Sequence, residues 1–252
     1  MATSYGAKQN SAIDFAAVER TQLLLVHDAQ DATASGHLPN SLPAQPQYSS
    51  SGWSLLNRNI TRPQFTPLTG SYSPGNPTLN SENVTGKTNY YYTLDGSGDY
   101  FLFEDFTQPA SSSTAVWARH NQAGSYYTIC SHIDGGPVGN YYAFYGNSVG
   151  YGWYSGGWNL HVGTGSVNDN EWHHIVWVRA GQKFYQYIDG ELDSEFSKAG
   201  GGMTNRINCM GSRWSAGNQF NGDIACFYLW NGALSADDVK TAFNAQKARF
   251  GV

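Results

Sequence analysis

From Asn89 to the end of the chain, short aromatic and β-branched runs alternate with Gly- and Asn-rich turns at nearly even spacing. YYYTLDG (90–96) and DYFLFED (99–105) come first, followed by STAVWARHN (113–121), SYYTICSHI (125–133), NYYAFYG (140–146), VGYGWYS (149–155) and WNLHVG (158–163). EWHHIVWVRAG (171–181), KFYQYIDG (183–190), ELDSEF (191–196), RINCMGSRW (206–214) and GDIACFYLWNG (222–232) complete the series. About a dozen short strands at this beat fold as an all-β antiparallel β-sandwich or jelly roll. Seventeen Tyr and eight Trp agree, because aromatic side chains suit a pleated, half-buried surface. In EWHHIVWVR both alternating faces are largely apolar, which predicts a central strand covered on both sides. Asp189-Gly190 predicts a two-residue hairpin turn, and Gly222 a close backbone approach at a strand entry.

The two ends read differently. SAIDFAAVERTQ (11–22) has a short helical pattern, so residues 1–22 form an N-terminal arm or short helix and residues 23–252 the sandwich. Leu23 to Val26 is short enough and apolar enough for a buried strand. Residues 28–89 hold seven of the nine prolines and no long periodic pattern, which predicts either a long loop-rich connection with short edge strands or an extended arm. Two sequons in that stretch, at Asn59 and Asn83, are read as chance matches. Near the C-terminus, Ser235 and Asp238 have the form of a capping box. They open a short amphipathic helix whose one face carries Val239, Ala242, Phe243 and Gln246.

Composition narrows the function classes. Charged residues make up 13 % of the chain, the net charge is −5 and there is no Lys/Arg run. The electrostatic footprint of nucleic-acid binding is therefore missing. No apolar stretch is long enough to span a bilayer, and the first residues lack the apolar core of a signal peptide. The reading is a protein made in a cytoplasm, with no membrane partner. Cys130, Cys209 and Cys226 are an odd, widely spaced set and are read as small buried hydrophobes. No cofactor motif is present.

Three segments carry a resemblance. They are LDGSGDYFLF (94–103), NEWHHIVWVRAGQKFYQYIDGEL (170–192) and FNGDIACFYLWNGALSADDVKTAFNAQKARF (220–250). In order and spacing they resemble the laminin-G-like, concanavalin-A-like jelly roll. LLLVHDAQDA (23–32) and GWSLLNRN (52–59) resemble that fold's opening segments more weakly. The resemblance implies a jelly roll over nearly the whole chain after residue 22. It does not fix function, since the fold hosts lectins, hydrolases and structural modules.

Three constellations could carry chemistry. Glu191, Asp193 and Glu195 alternate along one strand and resemble the ExDxE signature of jelly-roll β-glucanases. That resemblance implies a nucleophile, a modulator and an acid/base in that order. The simpler reading is the charged return strand of an edge hairpin. Asp95, Asp99, Asp134 and Asp223 lie near strand ends and are hard oxygen donors of the kind Ca2+ prefers. Laminin-G-like domains often hold one such ion at the rim, although turn or cap roles are the simpler reading of these aspartates. Finally, NYYAFYGNSVGYGWYSGGWNLHVG (140–163) interleaves rings with Gly, Ser and Asn, as sugar-stacking surfaces do. Tyr151, Trp153, Tyr154 and Trp158 are the ligand-face candidates.

The function expected is a non-enzymatic surface protein of a virus particle, such as a bacteriophage capsid decoration, spike or tail-tip protein. Its partners would be other virion proteins, host glycans and itself, as a homo-oligomer with a trimer guessed. A free carbohydrate-binding lectin is the first alternative. A glycoside hydrolase using Glu191 and Glu195 is the second.

Overall fold

The computed structural model describes residues 77–124, 126–132, 140–154, 157–198, 206–213 and 218–252, and the backbone alone of 23–28, 53–54 and 69–72. Strands β1 (Leu23–Asp28), β2 (Trp53–Ser54), β3 (Thr69–Tyr72), β4 (Thr78–Val84) and β5 (Lys87–Asp95) open the fold. β6 (Phe101–Thr107), β7 (Ser111–Arg119), β8 (Tyr127–Ser131), β9 (Asn140–Tyr145), β10 (Ser148–Tyr154) and β11 (Trp158–Val162) follow. β12 (His173–Ala180), β13 (Lys183–Ile188), β14 (Glu191–Ser197), β15 (Arg206–Met210), β16 (Asn221–Trp230) and helix α1 (Ala236–Phe250) end it.

The strands form two antiparallel sheets. The first runs β14-β13-β12-β7-β16-β5-β4, with β1 also on β16. The second runs β11-β10-β9-β8-β15-β6-β3-β2. Between them lies a core drawn from both, including Leu94, Phe101, Val116, Phe144, Ile175, Trp177, Phe220 and Phe227. This is the expected concanavalin-A-like sandwich.

A second apolar cluster lies on the outer face of the first sheet. Trp117, Val176, Val178, Tyr228 and Trp230 alternate with the core residues of their strands and meet Val239, Ala242 and Phe250 of α1. The predicted capping box is present, with Ser235 accepting from the Asp238 N–H and Asp238 accepting back. Gly251 ends the helix in the left-handed conformation. Phe250 stacks on Trp117 with ring centroids 3.9 Å apart. Central strand β12 is therefore apolar on both faces, as its sequence required.

Asp189 and Gly190 have φ of 52° and 82°, the twisted turn expected between β13 and β14. A Cβ on Gly222 would stand 2.5 Å from the Arg119 carbonyl oxygen. The close approach read from the sequence is therefore a real one. Cys130, Cys209 and Cys226 are free and buried.

The loop-rich stretch holds an edge strand of the kind expected there. Residues 78–84 form a seven-residue strand, β4, paired along its length with β5. TLNSENV has no apolar alternation because β4 is an edge strand, half exposed along its length. Asn83 of the second sequon accepts from the Gly86 N–H at 2.9 Å and shapes the following turn. The expected helix at 11–22, the arm to which it belongs and the first sequon lie outside the described residues.

Three histidines couple the fold to pH. His174 is wholly buried between Trp117 and Phe243, and His120 stacks on Phe144 at 4.1 Å. Burial pushes both imidazoles down from the usual 6.5 to about 4, and for His120 the neighbouring His173 adds to the effect. Burial also acts to lower His173, but its contacts with Asp189 and Asp169 outweigh that and raise it above 6.5. His173 thus contributes stability that is present below pH 6.5 and lost as pH rises through its folded value. His120 and His174 have the opposite sign. Their contribution is complete above 6.5 and is lost as pH falls through about 4.

Two predictions follow from this packing. Gly222→Ala should destabilise the fold by roughly 1–3 kcal/mol in urea unfolding, through the clash with Arg119 backbone. Between pH 6.5 and 4 the urea midpoint of the wild type should fall, and His174→Phe should remove up to roughly 3 kcal/mol of that dependence. An unchanged pH slope in His174→Phe would show that the buried ring is not the cause.

Candidate functional site

The outer face of the second sheet carries an aromatic platform. Its parity follows from register. Tyr154 pairs with Trp158 and Gly152 with both Leu160 and Tyr141, so these positions share one face. Tyr145 lies on that face too, two and four residues on from Ala143 and Tyr141. Gly152 leaves the space that Tyr141 occupies, since a Cβ there would stand 2.0 Å from the Tyr141 ring.

Arg213, just beyond β15, lies flat in the middle. Its guanidinium is 4.1 Å from the ring centroids of both Tyr141 and Trp158. It also donates to the Tyr126 hydroxyl at 3.0 Å. Tyr126 in turn stacks on Tyr141 at 5.6 Å and Tyr145 at 5.9 Å. Tyr154 meets the Trp158 edge at 5.5 Å. Arg213 and Tyr141 are buried and form the floor, while Trp158 is 40 % exposed and Tyr145 37 %. Burial raises the Tyr141 phenol above its ordinary value, with the Arg213 charge opposing the rise. The Tyr141 ring thus lies against a cation that is held between aromatic faces.

The ligand-face candidates split between the two sides of the sheet. Trp158 and Tyr154 belong to the platform. Tyr151 does not, because it is 1 % exposed and packs on Tyr142 and Phe184 in the core. Trp153 has the same parity as Tyr151 and stacks on Phe196 at 5.4 Å, toward the first sheet. Every second ring of a strand turns inward, and only the register shows which. Tyr126, Tyr141, Tyr145 and Arg213 were not among the candidates. The alternation in NYYAFYG contains Tyr141 and Tyr145, but nothing local in sequence brings Arg213 to them.

The carboxylate triplet does not alternate regularly along β14. Leu192 pairs with Tyr187 and Ser194 with Gln186, so Asp193 is an extra residue in a β-bulge. Alternation changes phase there. Glu191 is in register with Ile188, which packs toward the core, and Glu195 with Tyr185, which packs on the outer cluster. Glu191 is ion-paired with Lys240 of α1. Asp193 accepts from the N–H groups of Gly165 at 2.7 Å and Thr164 at 3.1 Å, and so holds the 163–166 loop.

Three of the four aspartates named for calcium lie among the described residues. Asp95 accepts from the Ser97 N–H at 2.6 Å. Asp99 is buried, accepts from the Asp95 N–H at 2.9 Å, and has its carboxyl raised by that burial. Asp223 pairs with the Arg119 Nε at 2.7 Å and accepts from the Thr93 hydroxyl at 2.5 Å. Asp134 lies outside the described residues. Among the described residues no three His, Cys, Asp or Glu side chains come together as a metal site.

Comparison with known proteins agrees with this architecture. A search of curated proteins finds no match. Among solved structures, domain 4 of AbnA, a GH43 extracellular arabinanase from Geobacillus stearothermophilus, in complex with arabinotriose, is similar at 14 % identity and a TM-score of 0.60. That likeness covers 88 % of this chain and 98 % of the other. The binding domain of Paraclostridial Mosquitocidal Protein 1 is similar at 12 % identity, and that of botulinum neurotoxin serotype D at 13 %, both with a TM-score of 0.60. Each likeness covers 90 % of this chain and 52 % of the toxin domain, so the chain spans about half of those domains. At such identities the likeness is one of fold. A family model matches residues 95–240, more than half of the sequence. The chain belongs to the concanavalin A-like lectin/glucanases superfamily.

Proposed function

We propose that the chain is a non-catalytic glycan-binding module that takes its ligand on the outer face of the second sheet. One observation carries this reading. Trp158 and Tyr145 lie open to solvent over a buried floor of Tyr141 and Arg213, among small residues and phenol hydroxyls. Exposed rings flanked by fixed polar groups suit the apolar faces and hydroxyl edges of sugars. The similar arabinanase domain was solved with arabinotriose, which supports the same ligand class. The split triplet supports a non-catalytic role. Two carboxyl groups of a retaining glycosidase stand about 5 Å apart across one sugar, whereas Glu191 and Glu195 are out of phase across the bulge.

Trp158→Ala should weaken binding of the best oligosaccharide on a glycan array by about tenfold or more, near 1.4 kcal/mol by calorimetry. Its far-ultraviolet circular dichroism should be unchanged. Glu191→Gln should bind like the wild type, and neither protein should release reducing sugar from β-glucans. Full affinity in Trp158→Ala would remove the platform from the ligand site. Turnover that Glu191→Gln abolishes would restore the hydrolase.

Display on a virus particle is the setting we propose for such a module, with self-assembly through residues 1–22. Light scattering during size exclusion should then find a defined oligomer of the full chain and a smaller species after removal of those residues. A monomer in both would speak against assembly and leave the glycan reading intact.

A further inference from the structure

Where β12 and β14 end and β13 begins, two cations at the end of the sandwich lie near enough for the charge of one to act on the other. Lys198 directly follows β14, and its N–H donates to the Gln182 carbonyl at 2.9 Å, which fixes it beside the β12–β13 turn. The residue is 4 % exposed, and its Nζ is buried without a hydrogen bond. That Nζ sits 6.0 Å from the Trp153 ring. Arg179 lies near the end of β12 with its guanidinium 5.7 Å from Phe184, and its Nε donates to the Gly181 carbonyl at 3.1 Å. Among the described residues, neither cation makes an ion pair.

The surroundings are apolar and rigid. Phe196 stacks on Phe184 at 5.0 Å and on Trp153 at 5.4 Å, while Tyr151 lies 4.8 Å from Phe184. A lysine usually runs its apolar stem along such rings and keeps its head in water. A buried ammonium next to a guanidinium, with no carboxylate to meet it, is costly. Burial, followed by the charge of Arg179, holds the Lys198 ammonium below its ordinary value. An incoming anion would offset both effects.

We propose that Lys198 and Arg179 form a binding site for the oxyanion of a small ligand, a carboxylate or a sulfate, whose remaining atoms pack against Trp153 and Phe196. This site is separate from the outer platform and does not depend on it. An acidic sugar and a free inorganic oxyanion share the required chemistry.

The test is thermal unfolding of the full chain in rising glucuronate, sulfate or glucose, with ionic strength held constant by chloride. Glucuronate, sulfate or both should raise Tm saturably, and glucose should not. Lys198→Met keeps the apolar stem and removes the charge. It should weaken the apparent affinity for the anion by about tenfold or more, while raising Tm in the absence of anion. Saturation by glucuronate well below sulfate would identify an acidic sugar as the ligand, and equal saturation a free oxyanion. If Lys198→Met fails to fold, Arg179→Gln reads the same loss. No rise above the chloride control, or an equal rise in wild type and variant, would overturn the proposal.

Discussion

The first sheet is apolar on both faces, and the rest of the molecule is arranged around that fact. β7, β12 and β16 send one set of side chains into the core and the other set outward. The outward set includes Trp117, Tyr228 and Trp230, all buried. Such a sheet is stable only under a cover, and α1 contributes to it by laying Phe250 flat on Trp117. The capping box and the left-handed Gly251 keep the helix the right length for that contact. Nearby, Arg119 lies over Tyr91 and Trp172 and ties Glu82 of edge strand β4 to Asp223 of β16. Every acceptor of that network is used in holding strands together.

Closing one side shifts the search for a binding surface to the other. The outer face of the second sheet keeps exposed Trp158 and Tyr145, and its glycines at 150 and 152 lower the floor beside them. The platform is also stiff. Rings hold Arg213 from several directions, so little side-chain freedom remains to be lost when a ligand lands. The covered face and the exposed aromatic face thus belong to different sheets, joined by a shared core.

Much of the fold was legible because strands announce themselves by period and turns by Gly and Asn. β12, the Asp189-Gly190 turn, Gly222 and the capped helix each rest on local signals, and each stands where expected. The site was only half legible. Trp153 and Trp158 look equivalent in sequence, yet the register of β10 on β11 puts them on opposite sides of one sheet. Strand β4 was expected only as an unplaced edge strand, because an edge strand with polar neighbours has no apolar period to locate it. The three described aspartates named for calcium are capping, turn-forming or ion-paired groups, and those partners come from residues distant in the chain. Arg213 carries no motif at all and matters only through the rings it meets.

The bulge at Asp193 has a bearing on how such a domain could change its chemistry. With the bulge in place, Glu191 and Glu195 lie out of phase along β14. Restoring the phase would take an inserted residue in β13, opposite Asp193. That insertion would also pull Asp193 away from Thr164 and Gly165 and free the loop it now anchors. A single extra residue in one strand therefore sets both the phase of the two glutamates and the hold of Asp193 on that loop.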